Sequence, residues 1–88
     1  MSEAAVTELR PDPRSVLSPR ELEVLEMASL GLTNWQIGAR LQVTVHAVKF
    51  HLAGIYRKLG VTNRTEAAVV YLRAEGSRPA ADDEGMVA

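Results

Sequence analysis

Between residues 44 and 60, in TVHAVKFHLAGIYRKLG, the residues His46, Phe50, Ala53 and Arg57 recur at intervals of three and four. On a helix that spacing gathers them on one side. Lys49 flanks this side on one edge, with Lys58 and His51 on the other. The set offers cations, an imidazole and an aromatic ring, and contains no carboxylate. A helix lying in the major groove of duplex DNA needs such a set: cations meet phosphates, and short or planar side chains meet base edges. The opposite side carries Val48, Leu52, Ile55 and Leu59 at i, i+4, i+7 and i+11, a narrow apolar stripe that a small core can bury. A solvated helix of a small bundle has the same two sides, so the rest of the chain has to decide between the two readings.

Other chemistries find little support. His46 and His51 are five residues apart, about 140° around a helix, with no carboxylate near in sequence, so they do not form a metal pair. There is no glycine-rich phosphate loop, no pair of carboxylates in an apolar setting and no Ser/His/Asp arrangement. The expectation is a protein that is not an enzyme and needs no cofactor or metal. The chain has no cysteine, which excludes a disulfide framework and a thiolate site and fits a reducing cytoplasm. No apolar run approaches the ~18 residues of a spanning helix, and the start, MSEAAVTELRPDPRS, lacks the order of a signal peptide. A cytoplasmic protein without a membrane partner is therefore expected.

The net charge of −1 hides a polarised chain. From Met27 to Thr65 there is no Asp or Glu, while Arg40, Lys49, Arg57, Lys58 and Arg64 all lie inside, a formal +5 over 39 residues. Charges act locally, within a Debye length of ~8 Å at physiological salt, so the overall sum is a poor guide to an anionic partner.

The elements that position these residues follow from their start and stop signals. Eighty-eight residues make one small domain. Its ordered part, about 60 residues, favours helices joined by short connections. Residues 1–16, with Pro11 and Pro13 in RPDPR, read as a flexible lead-in. A first helix starts at Ser18, where SPRE places a capping box with Pro19 at the first helical position. Leu22, Leu25 and Ala28, with Val24, Met27 and Leu30 nearby, give it a buried side, and Gly31 ends it. A second, short helix starts at Thr33 with Gln36 completing another box, carries Ile37 and Leu41 on one face, and closes at Leu41. Val43 plugs the core across the turn and Thr44 caps the third helix. A short helix, a tight turn and a longer helix form the helix-turn-helix pattern. After Gly60, Asn63 caps a fourth helix with Glu66 at its third position. Ala67, Val70 and Tyr71 face inward, and Ala68, Val69 and Leu72 leave apolar surface that the other helices or a partner must cover. Gly76 ends it, and residues 77–88, SRPAADDEGMVA, read as a disordered acidic tail.

With these elements placed, the chain resembles the LuxR-type, or GerE-like, helix-turn-helix family. The matching features are LSPRELEVL at 17–25, Gly31, Thr33 and Asn34, Ile37, Leu41, Val48 and Lys49, His51, Ile55, Lys58 and Leu59, Val61, Arg64 and Ala67. They stand in family order and spacing over residues 17–69. The resemblance implies an all-α, four-helix domain over 17–76, with flexible tails on both sides. It implies sequence-specific binding of double-stranded DNA by a transcriptional regulator, with the third helix in the major groove. It also implies a homodimer through the fourth helix, at Ala68, Val69 and Leu72. Two-fold dimers read pseudo-palindromic sites with half-sites about one helical turn apart.

Carried over by position, Lys49 matches the lysine of the family's recognition helix. Val45, His46, Phe50 and Ala53 are its outward neighbours and join it as candidates for base edges. Thr33, Asn34, Trp35 and Thr44 lie at helix N-termini and are candidates for phosphate, as are Arg57, Lys58 and Arg64. Arg64 has a second candidate role, pairing with Glu21 or Glu66 to hold helices together. Four positions depart from the family pattern: Trp35 stands where Lys or Arg is usual, Gln36 for Glu, Gly38 for Ala and Ala47 for Thr. Trp35, Ala47 and the bulky Phe50 motivate the alternative reading, a protein-interaction module on the same fold that binds another regulator or polymerase and touches DNA weakly. Met1 and the acidic end suggest a complete small protein, regulated by concentration, a partner or its tails.

Overall fold

Hydroxyl side chains start three of the helices. Ser18 Oγ accepts from the Glu21 N–H at 3.1 Å while the Glu21 carboxylate accepts from the Ser18 N–H at 2.9 Å. Thr33 and Gln36 exchange the same pair of bonds at 3.1 and 2.8 Å. Thr44 Oγ1 accepts from the Ala47 N–H at 3.0 Å, and the box stays one-sided because Ala47 cannot reach back. The computed structural model describes residues 11–76, whose regular elements are all helices, without a strand among them. The helices are α1 (Pro13–Val16), α2 (Pro19–Ser29), α3 (Asn34–Leu41), α4 (Val45–Leu59) and α5 (Arg64–Gly76).

The short α1 corrects the reading of the first sixteen residues as a flexible lead-in. Asp12 Oδ1 accepts from the Arg14 N–H at 3.0 Å, and Pro13 occupies the first helical position and is fully buried. A proline there loses no hydrogen bond and arrives with its φ preset. Arg14 then donates to the Ala74 carbonyl at 3.1 Å and approaches Glu75 at 3.7 Å, fastening α1 to the end of α5. Residues 1–10 and the acidic stretch 77–88 lie outside the described residues.

Two glycines and one glutamine stop the helices. After α2, Gly31 takes φ +92°, its N–H bonds the Ala28 carbonyl at 3.1 Å, and the Leu32 N–H bonds Met27 at 3.2 Å. Gly60 repeats the arrangement after α4 with φ +71°, through the bonds Gly60 to Arg57 and Val61 to Tyr56. Both are Schellman ends, which need a left-handed residue at that position. Between α3 and α4 the left-handed residue is Gln42, at φ +60°. The Val43 N–H bonds the Gly38 carbonyl at 2.9 Å, and a Cβ on Gly38 would lie 2.7 Å from the Val43 carbonyl oxygen. Gly38 thus lets the turn fold back onto α3.

The core takes the expected stripes. Val24, Leu25 and Ala28 of α2, Ile37 of α3, Val48, Leu52, Ile55 and Leu59 of α4, and Ala67 and Val70 of α5 are buried together with Leu17 and Val61. Leu22, Met27, Leu41, Val43 and Tyr71 pack against them half-buried. Leu30 does not join them: it follows the last turn of α2 and is 72% exposed, because the chain there has already turned toward Gly31. Burial first, then the Glu26 and Glu75 carboxylates, hold the Tyr71 phenol above its usual range.

Two polar braces cross the bundle. Lys58 Nζ donates to the Glu21 carboxylate at 2.8 Å, joining α4 to α2. Glu21 is buried, and Gly54 makes room for it, since a Cβ on Gly54 would stand 3.0 Å from Glu21 Oε2. Burial alone pushes the Glu21 carboxyl up. The Lys58 ammonium and the Ser18 N–H together outweigh that and hold it below the usual carboxylate range. In the second brace, Arg64 donates to the Leu32 carbonyl at 2.6 Å and to Asn34 Oδ1, pinning the start of α5 to the α2–α3 connection.

Candidate nucleic-acid interface

The face opposite the buried stripe of α4 is built as its spacing predicts. Val48, Leu52, Ile55 and Leu59 are buried, so His46, Lys49, Phe50, Ala53 and Arg57 are left exposed on the outer side. Val45, at the first helical position, is half-buried. Phe50 is 74% exposed. Its ring meets His51 edge-on, with centroids 6.0 Å apart, and His51 itself is half-buried at the margin of the stripe.

The face is electrostatically simple. Among the described residues, none of the ion pairs involves Arg40, Lys49 or Arg57, and all three side chains are exposed. Arg40 closes α3 beside the turn that leads into α4, and the acid-free stretch was the sequence signal for it. At the start of α4, Thr44 satisfies one of the N–H groups that a helix N-terminus leaves open, and the first-turn N–H groups carry the positive end of the helix dipole. No His/Cys/Asp/Glu group able to hold a metal ion occurs among the described residues.

The phosphate candidates divide. Thr33 and Thr44 are exposed caps, and Trp35 stands 71% exposed at the start of α3. Asn34 and Arg64 are half-buried and bonded to each other, so the arginine serves the fold directly. Its partners are Leu32 and Asn34, in place of the expected Glu21 or Glu66. Lys58 also serves the fold: its ammonium donates to the Glu21 carboxylate at 2.8 Å while its side chain stays 40% exposed. Only the tertiary arrangement brings Glu21 and Lys58 together, since 37 residues separate them. Sequence reasoning also missed Gln42 and Gly54, which position α4 without touching its outer face. On α5, Val69 and Leu72 are 41% and 54% exposed and Ala68 is half-buried beside them.

Comparison with known proteins places this geometry. Residues 15–71 match the family described as bacterial regulatory proteins of the luxR family. The nitrate/nitrite response regulator protein NarP of Escherichia coli is 40% identical over 67 residues, which are 76% of this chain and 31% of that protein. The transcriptional activator protein BjaR1 of Bradyrhizobium diazoefficiens is 44% identical over 63 residues, 72% of this chain and 26% of that protein. The transcriptional regulatory protein LiaR of Bacillus subtilis is 46% identical over 57 residues, 65% of this chain and 27% of that protein. The chain thus spans roughly a third or less of the length of these curated relatives. With well over half of its residues matched and an all-helical fold around a helix-turn-helix, the chain belongs to the LuxR family of bacterial regulatory proteins.

Proposed function

We propose that this protein is a transcriptional regulator that binds double-stranded DNA sequence-specifically, as a homodimer, with the outer face of α4 in the major groove. One observation carries the reading. His46, Lys49, Phe50 and Ala53 stand exposed on the first turns of a helix whose other side is committed to the core, and Arg40 and Arg57 of the same acid-free stretch are exposed and make no ion pair among the described residues. Base edges fall to Val45, His46, Lys49, Phe50 and Ala53. Phosphates fall to Thr33, Trp35, Thr44, Arg40 and Arg57, with Asn34 and Arg64 contributing from their shared brace. The names of its relatives, a response regulator, a transcriptional activator and a transcriptional regulatory protein, support the regulatory part of this reading. The dimer contact falls to Ala68, Val69 and Leu72 on α5.

A specific observation favours a second reading, a protein-interaction module: Trp35 and Phe50 are both more than two-thirds exposed. Salt separates the two. Neutralising phosphates releases counterions, so DNA affinity falls steeply as salt rises, whereas an apolar protein contact barely responds. The test is an HSQC titration of labelled protein with random duplex DNA at two salt concentrations. Shifts at Thr33 to Trp35, Thr44 to Ala53 and Arg57 that fade at high salt are expected. Absence of shifts at low salt would remove the DNA reading.

A further inference from the structure

We propose that Phe50 is a specificity-determining residue that reads the 5-methyl group of thymine. The inference rests on the DNA-binding reading above and narrows its substrate to duplexes carrying thymine at one fixed position of each half-site. The ring has no structural duty: it is 74% exposed, and the buried side of α4 lies opposite. It also stands clear of its own helix. Of its neighbours at i−4, i−3, i+3 and i+4, three are small, Ala47, Ala53 and Gly54, and the fourth is the exposed His46, so the ring stands largely open to another molecule. The ring contact it makes is the edge-on one with His51.

The chemistry of the face then limits what the ring can meet. Val45, Ala47 and Ala53 offer no hydrogen bonds, which leaves Lys49 and His46 as the polar readers. In the major groove the edges of base pairs are donors and acceptors, with one large apolar feature, the thymine methyl. An apolar knob pressed against a donor or acceptor leaves that group unpaired, which is unfavourable, whereas against the methyl it buries apolar surface on both sides. Charge favours DNA over a protein as the occupant. Lys49 adjoins Phe50 in the chain, and the exposed Arg40 and Arg57 lie in the same stretch without a carboxylate, a charge pattern complementary to phosphates.

The experiment uses the full chain. Duplexes are selected from a random library, and the tightest one is resynthesised with each thymine in turn replaced by deoxyuracil, which removes only the methyl. One position per half-site is expected to lose about four-fold in affinity with the wild-type protein, the effect of one buried methyl. With Phe50→Ala the same replacement should change nothing. Circular dichroism of the variant should match the wild type because the side chain is exposed. Insensitivity of every thymine to the replacement, or a uracil effect that persists in Phe50→Ala, overturns the assignment. The two readings fail separately. Salt-dependent binding with no uracil effect removes only the role of Phe50. Failure to bind any duplex at low salt removes both and leaves Trp35 and Phe50 as a protein contact.

Discussion

Lys49 and Glu21 are the residues on which the chemistry turns, one facing outward and one inward. Lys49 is exposed on the outer face of α4 and makes no ion pair among the described residues, so Lys49→Ala tests its proposed DNA contact without disturbing the core. It is expected to weaken DNA binding by about 1–3 kcal/mol if it meets a base and by less if it meets phosphate. Fluorescence anisotropy at fixed salt decides, and an unchanged affinity would remove α4 as the reading helix. Glu21 works through stability. Its folded carboxyl is held below the usual range, so its contribution is fully present above the unfolded pKa, about 4.3, and is lost as pH falls through the folded value. Glu21→Gln keeps the capping acceptor but loses the charge facing Lys58. The variant is expected to be about 1 kcal/mol less stable at neutral pH, a modest figure because Lys58 is 40% exposed. The gap to wild type should close on acidification through and below the usual carboxylate range. Urea melts across that range test it, and a gap independent of pH would show that the charge is not the cause.

At the scale of the element, the α3–α4 turn is the joint that sets the direction of α4, the helix proposed to read DNA. Gln42 sits in the left-handed region, which disfavours a side chain by about 1–2 kcal/mol. Glycine there relieves that strain but gives the unfolded chain more freedom. Gln42→Gly is expected to raise stability by a net of about 0.5 kcal/mol. The denaturation midpoint should rise with an unchanged slope, and a lowered midpoint would mean that the glutamine side chain supports the turn. Gly38 behaves oppositely. In an open helix, alanine for glycine gains about 1 kcal/mol. Here the new Cβ would meet the Val43 carbonyl at 2.7 Å, so the turn must move. A lower melting temperature is expected for Gly38→Ala, and a higher one would show that the turn yields freely.

The whole molecule keeps its described acids engaged within the fold and several of its cations exposed. The acids of α2 and α5 pair or cap within the fold, as Glu21, Glu66 and Glu75 do, while the cations Arg40, Lys49 and Arg57 stay exposed. A molecule with a net charge near zero thereby keeps a cationic side. Along α5, Val69 and Leu72 remain uncovered by the other helices. Leu72→Glu is expected to shift a dimer toward monomer in sedimentation velocity and to lower the apparent affinity for paired half-sites. The fold should survive, because the Leu72 side chain is exposed. A sedimentation profile identical to wild type would remove the α5 seam.

By itself the sequence determined the four helices α2 to α5, because helix starts, stops and buried stripes depend on residues within a few positions of one another. Ser18 with Glu21, Thr33 with Gln36, Gly31, Gly60 and the Val48 to Leu59 stripe are all local signals, and each appears in the structure as read. The family was legible for the same reason, since its features follow one another in order over residues 17–69. The outer face of α4 followed from periodicity alone. What only the tertiary structure decided involves residues far apart in the chain. Lys58 meets Glu21 and Arg64 meets Asn34 across 37 and 30 positions, which makes these phosphate candidates braces of the fold as well. Pro13 reads locally as an interruption and becomes buried only because α5 offers Arg14 an anchor at Ala74. Gly54 looks like a weak point in its helix, yet it admits the Glu21 carboxylate of α2, which a Cβ would displace. Such close approaches are set by the crossing of helices, and no local pattern in the chain encodes them.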